Sequence, residues 1–133
     1  MTLDLADLQQ RLRAFAAARQ WQPYHTPKNL AMALMVEAAE LQELFQWLTP
    51  EESQLLTADP AHKERVGEEM ADVLLYLLQL ADHTGVDLRD AVERKLVKNA
   101  IKHPALPAGP VSVDGPSPGS ARSCSAVAFS GSP

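Results

Sequence analysis

Apolar residues fall at Leu5, Leu8, Leu12 and Phe15, three or four apart, with polar residues between them. That spacing lays one apolar stripe along a helix and predicts an amphipathic helix from about 3 to 19. The stretch "WQPYHTPKN" then interrupts the pattern. Thr26 followed by Pro27 reads as an N-cap and first helical residue, opening a second helix that is expected to run to about 48. "TPEE", from Thr49 to Glu52, reads as a capping box for a short helix. Asp59 before Pro60 starts a long third helix to about 84, with Gly85 suited to its left-handed end. Asp87 can cap a fourth long helix reaching about 102, where His103-Pro104 stops it. No stretch alternates with period two and no hairpin signal is present, so the fold class is all-α, a four-helix bundle-type protomer.

Composition changes near residue 104. Pro, Gly and Ser make up 16 of the 29 residues from 105 to 133. A segment of that kind buries too little apolar surface to offset its ordering entropy. The chain therefore divides into a helical domain at 1–104 and a flexible, disordered C-terminal tail at 105–133. The lone Cys124 lies in that tail and cannot form an internal disulfide, so a cytoplasmic setting is the default. The opening "MTLDLADLQQRLRAF" carries Asp4 and Asp7 early and does not read as a signal peptide, and no apolar run is long enough for a membrane span. A formal charge of −5 argues against a general nucleic-acid binder, which needs a basic face. It leaves room for a phosphorylated small molecule brought in by metal ions.

The second helix carries the chemistry worth explaining. In "EAAELQELFQW", Glu37, Glu40 and Glu43 stand beside Leu41, Leu44 and Phe45. Helical spacing puts Asn29, Glu37, Glu40 and Trp47 on one stripe. On the third helix Glu69, Asp72 and Tyr76 do the same, among Val66, Met70, Val73, Leu74, Leu77 and Leu78. If the stripes face each other, four carboxylates converge, and their repulsion is relieved by a hard divalent cation such as Mg²⁺. Glutamates three or four apart are also common on solvated helix faces, and one pair alone would say little. Glu43 is a ligand candidate that equally suits the rim. Neither acidic pair has the Glu-x-x-His form of a di-iron bundle.

Together, "WQPYHTPKNLAMALMVEAAELQELFQW", "EEMADVLLYLLQLADHTGVDL" and "KLVKN" resemble the all-α nucleoside triphosphate pyrophosphohydrolases of the MazG type, and most of all their dCTP pyrophosphatase branch. The resemblance covers about residues 5 to 104. Val36 stands where the wider family has a further acid, a departure that the dCTP pyrophosphatase branch shares. The resemblance implies Mg²⁺-dependent cleavage of a dNTP, dCTP or a modified dCTP, to the monophosphate and pyrophosphate, in nucleotide-pool cleaning. It implies metal ligation by Glu37, Glu40, Glu69 and Asp72, with Glu40 and Glu37 catalytic. It places His25, Trp47, Tyr76, Lys95, Asn99 and Trp21 around the nucleotide. Each of these has a plainer role open to it: core packing for Trp47 and Tyr76, a turn brace for His25, a solvated lysine for Lys95, a helix-end cap for Asn99. The resemblance also implies a homo-oligomer, a tetramer or alternatively a dimer. Hydrolysis of dUTP or phosphoribosyl-ATP, or a non-catalytic nucleotide-binding helical oligomer, are the alternatives.

Overall fold

The computed structural model describes residues 2–109. Five helices follow in order: α1 (Leu5–Ala18), α2 (Pro27–Glu43), the short α3 (Pro50–Leu55), α4 (Pro60–Thr84) and α5 (Leu88–Lys102), with no strand among the described residues. The all-α expectation therefore holds. Of the expected tail, residues 110–133 lie outside the described part, and 105–109 form neither helix nor strand.

The helix starts follow local chemistry. The side chains of Asp4, Thr26, Thr49 and Asp87 each accept a hydrogen bond from the backbone N–H three residues on, at 3.1–3.2 Å. Each satisfies a donor that the first turn would leave without a partner. Asp59 departs from this pattern. It makes no capping bond to α4, and its carboxylate pairs instead with His62 Nδ1 at 2.7 Å.

Two helix ends use the left-handed region. Gly85 closes α4 at φ 69°, and Val86 N–H reaches back to the Ala81 carbonyl at 3.0 Å. Gln20 does the same work after α1 at φ 55°, with Trp21 N–H donating to the Ala16 carbonyl at 3.0 Å. Gly85 has no Cβ to strain; Gln20 bears that cost.

α2 is shorter than its hydrophobic pattern predicts. It ends at Glu43, and Leu44 and Phe45 N–H groups bond three residues back, to Leu41 and Gln42. The chain tightens into turns here, with Gln46 N–H still bonded four back to Gln42, before Thr49 turns extended ahead of Pro50 and caps α3. Trp47 therefore leaves the Glu37–Glu40 stripe. It sits in the turn, 87% exposed. Asn29 also turns away from that stripe, its amide donating to the Tyr24 carbonyl at 2.9 Å.

α4 is the spine. At 25 residues it is about 38 Å long, and α1, α2 and the turn after α3 all pack on it. Leu30, Val66, Leu78 and Ala81, with Ala16, make up the buried core. The small side chains of Ala16 and Ala81 let backbones approach. Gln9 Nε2 donates to the Leu78 carbonyl at 3.1 Å, and Arg13 pairs with Asp82 at 3.4 Å. α5 buries nothing: Val92, Leu96, Val97 and Ile101 are each more than half exposed. Met32, Met35 and Val36 of α2 are exposed too. No helix among the described residues is long and apolar enough to cross a membrane.

Leu78 is fully buried, so Leu78→Ala is expected to cost about 2–5 kcal/mol in urea unfolding. The two left-handed ends give opposite signs. Gly85→Ala meets open space and pays only the backbone cost, about 1–2 kcal/mol, whereas Gln20→Gly relieves it and gains up to about 1 kcal/mol. Denaturation midpoints moving in the same direction for both would contradict this account of the turns.

Candidate metal centre

The C-terminal half of α2 runs antiparallel beside the N-terminal half of α4. Residues three apart share a helix face, so Glu37 and Glu40 project together, and α4 sets Glu69 against them. One carboxylate oxygen from each of Glu37, Glu40 and Glu69 lies within 4.8 Å of the others. Asp72 stands outside this trio. Its charge still reaches Glu37 and Glu69.

The electrostatics follow from the crowding. Burial pushes the Glu37 carboxyl above its ordinary range, and the carboxyl of Glu40, then Asp72 and Glu69, raise it further. Glu69 is raised first by burial and then by Glu40 and Asp72. Glu69 is half-buried, and its Oε2 is out of solvent with no hydrogen-bond partner. A carboxylate oxygen in that state costs free energy unless a donor or cation meets it. Three carboxylates, one of them carrying an orphaned oxygen, with no His or Cys among them, suit a hard divalent cation.

An open groove of about 610 Å³ adjoins the cluster. Glu40, Glu43 and Glu69 line it with Leu44, Leu48, Leu56 and Val66, and with two residues not singled out from the sequence, His62 and Arg65. A signal for them existed. His62, Arg65, Glu69, Asp72 and Tyr76 succeed one another at spacings of three and four, so they extend the acidic stripe of α4 toward its start. A larger hollow of about 860 Å³ lies at the other end of α4, between the start of α1 and the turn into α5. It contains none of the clustered glutamates.

The remaining candidates are spread out. Tyr76 is half-buried one turn beyond Asp72. His25 faces His83 at 6.3 Å between ring centroids, and Trp21 at 6.1 Å. His83 is fourteen residues beyond Glu69, about 21 Å along the axis, so this aromatic group is remote from the trio within one chain. Phe15 and Arg19 complete it, the Arg19 guanidinium lying 3.3 Å over the Phe15 ring. Lys95 is exposed and Asn99 half-buried on α5.

Residues 32–112 match the sequence profile of the MazG-like family, a span that includes all four acidic candidates. Human dCTP pyrophosphatase 1 is 42% identical over 101 residues, covering 76% of this chain and 59% of the human protein. The bovine protein of that name is 40% identical over 100 residues, covering 75% of this chain and 59% of its own length. The chain thus spans about three-fifths of these mammalian relatives. The crystal structure of a pyrophosphatase from Archaeoglobus fulgidus superposes with a TM-score of 0.70 at 43% identity, covering 79% of this chain and 96% of that one. With the helical order, the facing acidic stripes and these matches in agreement, the chain belongs to the MazG-like family.

Proposed function

We propose that the chain is a nucleoside triphosphate pyrophosphohydrolase that cleaves between the α and β phosphates, preferring dCTP or a modified dCTP. The observation that carries this reading is the trio of carboxylates within 4.8 Å beside an open groove, with Glu69 Oε2 left without a partner. The names of the mammalian relatives supply the substrate class. Glu37, Glu40 and Glu69, with Asp72 close by, are the residues that would hold Mg²⁺. When bound, such an ion neutralises phosphate oxygens and acidifies water.

The chain's own groups do the rest. A water attacks the α phosphorus, the bond to the β-phosphate oxygen breaks, and pyrophosphate leaves. Glu40 is the exposed member of the trio and adjoins both Glu37 and Glu69, so its carboxylate is placed to take the water's proton. Tyr76, further along the same α4 stripe, bounds the nucleoside side. Trp47, bare in its turn, stands toward the His62 and Arg65 end, so its stacking face is offered to a nucleotide held by a second copy. Trp21 and His25 belong to the α1–α4 end, and Lys95 and Asn99 to α5. Their contribution to a nucleotide site fits a homo-oligomer, tetramer or dimer, in which a second copy covers the exposed apolar side chains of α5 and α2. A nucleotide-pool reaction of this kind belongs in the cytoplasm.

A panel of dNTPs with Mg²⁺, read by pyrophosphate release, should show dCTP or a modified dCTP preferred. Activity confined to another triphosphate would replace the substrate, and silence on all would remove the enzyme. Glu40→Gln is expected to lower turnover by about a hundredfold or more with helicity unchanged; normal turnover in that variant would end the assignment.

Metal binding should also be visible in stability. Folding raises Glu37 and Glu69 above their ordinary value of 4.5. In the metal-free chain these groups therefore favour the fold below that value, and their contribution is lost as pH rises through the raised values. A cation needs them ionised. The Tm increase on adding Mg²⁺ is expected to be largest near about pH 8 and to shrink as pH falls into the carboxyl range. An increase that is independent of pH would argue for binding elsewhere.

A further inference from the structure

The groove has a cationic end beside its acids. Arg65 lines the same groove as Glu40, Glu43 and Glu69, yet among the described residues no carboxylate lies within 4.0 Å of its guanidinium. An arginine present only to offset the acids would pair with one of them, and Glu69, one turn on, is within helical reach. His62 sits one turn before Arg65. Its Nδ1 is engaged by Asp59 at 2.7 Å, which holds the ring at the groove's edge.

Along α4 the order is thus His62 and Arg65, then Glu69 and Asp72, then Tyr76. Arg65 is about 6 Å before Glu69 on the helix axis and Tyr76 about 10 Å after it. A triphosphate whose reacting centre lies at the acids must send its terminal phosphates one way and its nucleoside the other. Among the residues that line this groove, Arg65 alone offers a guanidinium, and it lies to one side of the acids; its planar fork suits phosphate oxygens.

Resting on the hydrolase reading above, we propose that Arg65, flanked by His62, binds the β and γ phosphates and the departing pyrophosphate. The substrate then lies along α4 with its nucleoside toward Tyr76. Arg65 is exposed and outside the core, so replacing it leaves the packing intact.

The test uses the full chain with Mg²⁺ and compares wild type, Arg65→Gln and Arg65→Lys. Three quantities are read: inhibition by pyrophosphate, inhibition by the nucleoside monophosphate, and pyrophosphate binding by calorimetry. Arg65→Gln is expected to weaken both pyrophosphate readings about tenfold to a hundredfold and to leave monophosphate inhibition unchanged. Arg65→Lys should recover part of the loss. An active wild type whose pyrophosphate readings are untouched by Arg65→Gln overturns the proposal alone. Equal weakening by both products overturns the assigned direction. A wild type that hydrolyses no triphosphate overturns the hydrolase reading and this proposal with it.

Discussion

Mutual repulsion among Glu37, Glu40 and Glu69 is the constraint around which the rest is arranged. Two unit charges at about 4 Å repel by about 1 kcal/mol in bulk water and by several times that where solvent is thinned. Three carboxylates within 4.8 Å, one with an oxygen shut away from water, cannot be placed so without a rigid frame to hold them. α4 is that frame. Its length and its packing against α1 and α2 place core contacts at Val66 and Leu78 on either side of Glu69 and Asp72. The hydrophobic core is small, and much of what it secures is the approach of two acidic faces.

The same frame sets direction as well as proximity. A single helix presents cationic, acidic and aromatic side chains in succession along one face, each about a turn from the next. On α4 the groove is lined from His62 and Arg65 to Glu69, and the stripe continues past its lining through Asp72 to Tyr76.

Much of this was legible in the sequence. Caps at Thr26, Thr49 and Asp87 and the glycine at 85 are local chemistry, and local chemistry needs no partner to be read. The facing stripes were legible because two acidic pairs, each inside an apolar run on its own helix, say together what one pair on a solvated face would not. What failed did so for tertiary or competing local reasons. The apolar pattern of α2 continues through Phe45 and Leu48, but the helix ends at Glu43 and the turns that follow carry Trp47 out of the stripe. Asp59 carries the signature of a cap, but pairing with His62 takes its carboxylate. Arg65 is not legible from the sequence, because one arginine on a long charged helix means nothing until the groove beside it is seen. Asp72 shares a face with Glu69, yet its distance from the trio depends on helix rotation that spacing does not reveal.

The bare apolar side of α5 bears on how such a molecule behaves on dilution. None of the residues of α5 is buried within the chain. If a second copy covers it, as proposed, any pocket that Lys95 and Asn99 help to close is assembled by mass action and not by folding alone. Competence of the site would then scale with how crowded the chains are, and a sparse population would be well folded but idle.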